Sequence, residues 1–185
     1  MFSDKEFNYI SDQDFLLTKR QITEKIIQYL SNLESELKKE IHSSDFDFPD
    51  NAFLKAGKIS KGENFKGLPY LILDYPRMFS STSIFAYRTM FWWGNFFSNT
   101  LHVKGSALKS LPDTTIQSAY PLFIQTLGDE WDHSLESANA VEQVNLQEIL
   151  STEVEFLKIS QKIPLSDYGN LPDATIHFLR QILDQ

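Results

Sequence analysis

The chain has 185 residues, a formal net charge of −8, 14% aromatic side chains and no cysteine. Its length suits one ordinary domain with a sizeable core, so we predict a single domain over residues 1–185. The lack of cysteine excludes disulfides, thiolate nucleophiles, iron–sulfur clusters and cysteine zinc sites. The acidic balance disfavours nucleic acid and anionic lipid surfaces as partners.

The expected compartment is the cytoplasm. Residues 1–15 carry acidic side chains where a signal peptide needs a basic start and an apolar run. The longest nearly uncharged stretch, residues 89–103, is too short and too polar to span a bilayer. We therefore expect no membrane partner, and we expect no cofactor because no phosphate-binding or dinucleotide-binding glycine motif is present.

A long amphipathic helix is predicted over residues 12–41. Ser11, followed by Asp12 and Asp14, suits a helix start, because a hydroxyl can cap free amides and early carboxylates suit the positive end of the helix dipole. Apolar residues then recur near the helical period at Phe15, Ile22, Ile26, Tyr29, Leu30, Leu33, Leu37 and Ile41. Serine, aspartate and proline in residues 42–51 end the helix.

The segment from residue 53 to residue 105 has a β pattern and contains the densest group of aromatic residues. Alternating lysines around residues 55–66 are typical of an edge strand. Leu71, Leu73 and Tyr75 share one face of a strand that is expected to end near Pro76, since proline removes a ladder donor.

Gly94-Asn95 lies between two apolar, aromatic runs and predicts a hairpin with a two-residue turn, joining strands 84–93 and 96–104. A short buried helix over 84–93 is the alternative. In the hairpin, opposed residues share a face. The face predicted to be core carries Ala86, Arg88, Met90, Trp92, Phe97, Asn99, Leu101 and Val103. The other face mixes rings with polar groups and carries Phe85, Tyr87, Thr89, Phe91, Trp93, Phe96, Ser98, Thr100 and His102.

The remainder of the chain predicts one more strand and two main helices. Residues 110–116 and 170–176 both resemble helix entries, with proline and then an acid in the first turn. A strand follows Pro121, and Asn145 with Glu148 resembles a capping box that opens a helix through Leu157. Residues 172–184 form the last predicted helix. The predicted fold is α+β: a long N-terminal helix, an antiparallel sheet of four or five strands with a central Gly-Asn hairpin, and two C-terminal helices packed on one face.

The mixed face of the hairpin is the predicted binding site, because small-molecule sites combine rings for shape with a few polar groups for orientation. The predicted ligand-binding residues are Tyr87, Arg88, Phe91, Trp93, Ser98, Thr100 and His102. We expect a cleft that binds a small apolar or aromatic ligand. Arg88 is expected either to bind a ligand anion or to pair with Asp74 on a neighbouring strand.

Two other hypotheses use overlapping residues. In the first, the same aromatic surface forms a protein–protein or homo-oligomer interface. In the second, the chain is an enzyme that uses His102 or the cluster Asp129, Asp132 and His133. The spacing of that cluster matches no established metal site, so no metal ion is predicted.

Overall fold

The computed structural model describes residues 1–183. The helices are α1 Asp4–Ser11, α2 Gln13–Ser43, α3 Leu146–Leu150 and α4 Leu171–Leu183. The strands are β1 Lys58–Phe65, β2 Leu68–Phe79, β3 Ile84–Trp92, β4 Phe96–Lys104, β5 Thr115–Gln125, β6 Asn139–Asn145 and β7 Phe156–Pro164.

All seven strands form one antiparallel sheet, in the order β1-β2-β3-β4-β7-β5-β6. The α+β class is therefore confirmed, whereas the predicted count of four or five strands is too low. Strand β1 is at an edge of the sheet and carries Lys58 and Lys61, in agreement with the lysine pattern. In residues 1–183, no helix is both long enough and apolar enough to cross a membrane.

The long helix is confirmed as α2, although its cap is Asp12 rather than Ser11. The Asp12 carboxylate accepts a hydrogen bond from the Phe15 amide at 2.9 Å, and Ser11 belongs to the short preceding helix α1. The second half of α2 packs on the sheet through its buried residues Leu30, Leu33, Leu37 and Ile41. At the start of α2, Phe15, Leu16 and Leu17 are exposed, whereas Ile26 and Ile27 are partly buried against the core.

Strand β2 is longer than predicted. Leu71, Leu73 and Tyr75 are buried on the helix-covered face, as expected, but the strand passes through Pro76 and continues to Phe79. The pairing with β3 shifts between Asp74 and Arg77, so an irregularity in the ladder accommodates a proline that cannot donate to it.

The two-residue turn predicted at Gly94-Asn95 is wrong, although both strands are found within a residue of their predicted bounds. Trp92 rather than Trp93 pairs with Phe96, so three residues connect the strands. The Asn95 amide donates to the Trp92 carbonyl at 3.1 Å, and Gly94 takes the positive φ of 71° that glycine permits. The alternative of a buried helix over 84–93 is also wrong.

This change of one residue moves every side chain of β4 to the opposite face relative to β3. The face covered by α2 and α4 carries Phe85, Tyr87, Phe91, Phe97, Leu101 and Val103. The Tyr87 hydroxyl donates to the Thr175 carbonyl of α4 at 2.7 Å. The opposite face, which we call the open face, carries Arg88, Met90, Trp92, Phe96, Ser98, Thr100 and His102.

Two C-terminal predictions are wrong. The predicted helix entry at 110–116 leads into strand β5. Asn145 does cap a helix, accepting from the Glu148 amide at 3.1 Å, but that helix ends at Leu150 rather than Leu157. Residues 156–164 are strand β7, which lies between β4 and β5. The last helix is confirmed as α4, and residue 184 of its predicted range lies outside the described residues.

Candidate functional site

A cleft of about 510 Å³ lies on the open face. Strands β1, β2 and β3 form its floor, and the loop 126–138, which links β5 to β6, forms one wall. The lining residues are Lys58, Ser60, Phe65, Tyr70, Ile72, Asp74, Arg77, Phe79, Arg88, Met90, Trp131 and His133.

Strand pairing arranges the floor in rows across the sheet. One row is charged and consists of Lys58, Asp74 and Arg88. The next row is mainly apolar and consists of Ser60, Ile72 and Met90. Beyond it, Gly62 pairs with Tyr70, and a Cβ at Gly62 would lie 2.4 Å from the Tyr70 ring. The missing side chain therefore lets the Tyr70 ring lie across the edge strand.

Arg88 and Asp74 form a buried two-point ion pair in the charged row. Nε of Arg88 donates to Oδ1 of Asp74 at 2.7 Å, and Nη2 donates to Oδ2 at 3.0 Å. The pairing predicted between these residues is confirmed. Most of the charge of this arginine is therefore matched inside the protein, because the guanidinium fork fits one carboxylate.

His133 of the loop binds the same arginine. Nη1 of Arg88 lies 2.6 Å from Nε2 of His133, and because arginine only donates, this histidine nitrogen accepts. Burial and the adjacent Arg88 hold the pKa of His133 well below its usual range. His133 is therefore a neutral group that fixes the loop to the floor of the cleft.

Two further cations line the cleft without an ion-pair partner among residues 1–183: Lys58 and Arg77. The Arg77 guanidinium lies 4.7 Å from the centre of the Phe53 ring. Its Nε atom is buried and has no hydrogen-bond partner within the described part of the chain. Both cations are thus available to a group that enters the cleft.

The apolar walls are mainly aromatic. Phe65 packs edge-on against Trp92, with ring centres 5.1 Å apart, and closes the end near Tyr70. At the other end, Phe79 and Trp131 contact each other with ring centres 6.1 Å apart. These two rings remain 41% and 46% exposed, so they present apolar area that a ligand can cover.

Lys158 of β7 holds the middle of the loop against the sheet. Its buried ammonium donates to Oε1 of Gln125 at 3.0 Å and to the carbonyl of Asp132. Burial lowers the pKa of Lys158 to about 8, with nearby carboxylates acting in the opposite direction. The loop is therefore attached at both Lys158 and Arg88, which gives the cleft a fixed wall.

His102 lies beneath the loop rather than in the cleft. Its ring centre is 5.3 Å from that of Trp131, and its Nε2 atom lies 3.8 Å from Oε2 of Glu130. Burial, with Lys158 and other cations nearby, lowers the pKa of His102 to about 3. Glu130 pairs with Lys104 at 2.8 Å. His102 is therefore neutral near pH 7.

The observed register of β3 and β4 places the predicted site residues on both faces of the sheet and in the turn. Arg88 alone lines the cleft, while Ser98, Thr100 and His102 share the open face but lie outside the lining. Two predicted residues, Tyr87 and Phe91, are buried on the helix-covered face, and Trp93 lies in the turn. The alternation of Tyr70, Ile72 and Asp74 with the core residues of β2 is a sequence signal for the residues that were missed.

The acidic cluster of the loop is bound to its own backbone. Asp129 accepts from the Trp131 amide at 2.9 Å, and Asp132 accepts from the Ser134 amide at 2.9 Å. Among residues 1–183, no group of three or more histidine, aspartate or glutamate side chains is placed to hold a metal ion.

Comparisons of this chain with protein-family models, with curated proteins and with solved structures found no match.

Proposed function

We propose that the open-face cleft binds a small apolar or aromatic ligand. The observation that supports this most strongly is the convergence of Phe65, Tyr70, Phe79 and Trp131 around one concavity with a few polar groups at its centre. A volume of about 510 Å³ is in the range of small-molecule sites, which are concave, mainly apolar and few per protein.

The fixed wall of the cleft supports the proposal energetically. Arg88 and Lys158 hold the loop in place, so a ligand does not have to order it on binding. Most of the affinity then comes from covering apolar area, at about 25 cal/mol per Å² removed from water. The rings of Phe79 and Trp131 offer such area because they are still partly exposed.

A neutral fluorescent probe, N-phenyl-1-naphthylamine, tests the proposal. We expect saturable binding to the native protein, with a change in tryptophan emission, and a dissociation constant raised about tenfold or more in Tyr70→Ala. Tyr168→Ala is the matched control, since this tyrosine is 62% exposed and lies in the segment Leu165–Asn170, away from the cleft. Absence of binding, or equal weakening in both variants, would contradict the proposal. Thermal melts check that each variant is folded.

The second candidate function is self-association, with a second copy of this chain as the partner. It is favoured by the exposure of large apolar side chains near the amino terminus: Phe2, Phe7, Tyr9, Ile10, Phe15, Leu16 and Leu17. Asp4 and Glu6 of α1 complement a groove beside Leu16 that contains three cations and two carboxylates. This interface differs from the one expected from the sequence, because Tyr87 and Phe91 are covered by the protein's own helices.

Sedimentation velocity tests self-association. A dimer of the native protein that becomes a monomer in the double variant Phe7→Ser, Leu17→Ser supports it. A native protein that is monomeric over the micromolar range contradicts it. Enzymatic use of His102 or of the cluster Asp129, Asp132 and His133 stays a prediction. The lowered pKa of each buried histidine makes it a weak base near pH 7, which does not favour a role as general base.

A further inference from the structure

We propose that the ligand of the open-face cleft is an organic acid, in which one ionised acid group is bound by Arg77 and Lys58 while the apolar body lies on Ile72, Met90 and Tyr70. This inference rests on the proposed function, because it specifies the ligand of the same cleft. The supporting evidence is the balance of charges among the residues that line the cleft, together with their positions.

The cleft is cationic in an acidic protein. Its ionisable lining contains three cations and one carboxylate, while the whole chain has a formal net charge of −8. Asp74 is used by Arg88, and His133 is neutral because its Nε2 accepts from that arginine. The unmatched charge is therefore that of Lys58 and Arg77.

The acidic groups of the neighbouring loop do not neutralise these two cations. Glu130 pairs with Lys104, and Glu136 pairs with Lys66. Asp129 and Asp132 accept hydrogen bonds from amides of their own loop. Lys58 is directly opposite Asp74 in the strand register, yet the Asp74 oxygens bind Arg88. The described carboxylates therefore leave Lys58 and Arg77 to water or to an anion from outside the chain.

Arg77 is well suited to bind an acid group. The Phe53 ring under its guanidinium fixes the orientation of the fork, and the buried Nε lacks a hydrogen-bond partner among residues 1–183. A planar guanidinium binds a carboxylate or sulfonate through two parallel hydrogen bonds. A partly buried donor that is left unmatched costs free energy, so an incoming anion relieves that cost.

The rows of the floor set the position of the rest of the ligand. Lys58 belongs to the charged row, and the adjacent row presents Ile72 and Met90, followed by Tyr70. An acid group at Lys58 and Arg77 therefore places an attached ring or alkyl body over these apolar side chains. An inorganic anion has no such body, and we expect inorganic phosphate at millimolar concentration to leave organic acid binding unchanged.

Two matched probes test the inference. N-phenyl-1-naphthylamine is neutral, and 8-anilinonaphthalene-1-sulfonate has the same ring system with one added acid group. We expect the native protein to bind the sulfonate about tenfold more tightly than the neutral probe, as one charge-assisted contact provides. Raising sodium chloride from about 0.05 to about 0.5 M should reduce this preference by screening.

Variants that remove one positive charge test which residues cause the preference for the sulfonate over the neutral probe. Arg77→Gln and Lys58→Gln should each bring the two affinities closer together, with the neutral probe unchanged, and Arg77→Lys should keep part of the preference. Lys61→Gln is the control, because Lys61 lies on the same edge strand with the same charge but pairs with Leu71 of the helix-covered face. Thermal melts check folding, and Lys58→Gln alone carries the test if Arg77→Gln does not melt cooperatively.

The outcomes separate the two proposals. Equal affinity for both probes, or a preference that Arg77→Gln and Lys58→Gln do not reduce, overturns the organic-acid inference and leaves the apolar cleft intact. Inhibition of sulfonate binding by inorganic phosphate also overturns it, in favour of a simple anion site. Failure of both probes to bind overturns the cleft as a ligand site and this inference with it.

Discussion

Arg88 and Asp74 form a two-point ion pair across neighbouring strands, with N–O distances of 2.7 and 3.0 Å, and both are almost fully buried. The pair connects β2, β3 and the loop 126–138, because the Arg88 guanidinium also binds His133 of that loop. Replacing only one of the two residues leaves the other as a buried, uncompensated charge. This costs more free energy than replacing both.

Asp74→Asn should therefore lower the free energy of unfolding by about 3 kcal/mol, because the buried Arg88 cation loses its counterion. Urea denaturation measures the change. Asp113→Asn removes the same charge from an exposed position and should change stability by less than about 0.5 kcal/mol. Equal effects of the two substitutions would mean that the ion pair is not formed in solution.

Stability should depend on pH through the two buried histidines. The pKa of His102 is lowered from 6.5 to about 3 and that of His133 is also lowered, so the unfolded chain takes up protons first as the pH falls. The contribution of these histidines to the free energy of unfolding is therefore fully present above about pH 6.5. It is lost progressively as the pH falls from about 6.5 to about 3. His102→Gln should reduce the slope by about 1.4 kcal/mol per pH unit in that window.

Urea titrations at pH 7.5, 6, 5 and 4 measure these slopes. His42→Gln is the control, because His42 is exposed at the end of α2. If the slopes of native protein and His102→Gln are the same, His102 is not buried in its neutral form.

Two glycines should differ in their response to alanine. Gly94 has a positive φ of 71° and no atom within 4 Å of a built Cβ, so Gly94→Ala should cost only the conformational penalty of about 1 kcal/mol. Gly105 has a φ of 63°, and its Cβ would lie 2.0 Å from the Thr82 carbonyl oxygen. Gly105→Ala should therefore be clearly more destabilising in thermal melts. The reverse order would contradict the described turn geometry.

Tyr87 should affect stability and leave ligand binding unchanged. Tyr87→Phe removes the hydroxyl that donates to Thr175 and leaves that buried carbonyl without this partner, at a cost of about 1–2 kcal/mol. Because the ring faces α4 rather than the cleft, the affinity for N-phenyl-1-naphthylamine should stay the same. A large loss of affinity with unchanged stability would support the face assignment expected from the sequence.

Trp92 and Trp93 show why the two faces of the hairpin could not be predicted from the sequence. Both are apolar rings next to a Gly-Asn pair, and only the turn length decides which of them opposes Phe96. Local pattern supports both a two-residue and a three-residue turn, whereas burial against α2 and α4 selects one. The strands were therefore predictable, but the faces, and with them most of the site, were not.

Strand β7 was missed for a different reason. In residues 157–163 apolar and polar side chains alternate except at Gln161, which is a strand pattern, but the capping signal at Asn145 extended the predicted helix as far as Leu157. The cleft also depends on Arg77 and Trp131, which are far apart in the sequence and line the same cleft only because the loop packs over the sheet. No local sequence pattern contains that arrangement.

The methyl signal of Met90 tests the central claim most directly. The chain has three methionines, and only Met90 lines the cleft, while Met78 packs against the helix-side core and Met1 is exposed. In protein labelled at the methionine methyl groups, titration with N-phenyl-1-naphthylamine should shift the Met90 resonance in a saturable manner and leave Met1 and Met78 unchanged. Binding that shifts Met78 or Met1 instead, or no shift at saturation, would contradict a ligand site on the open face.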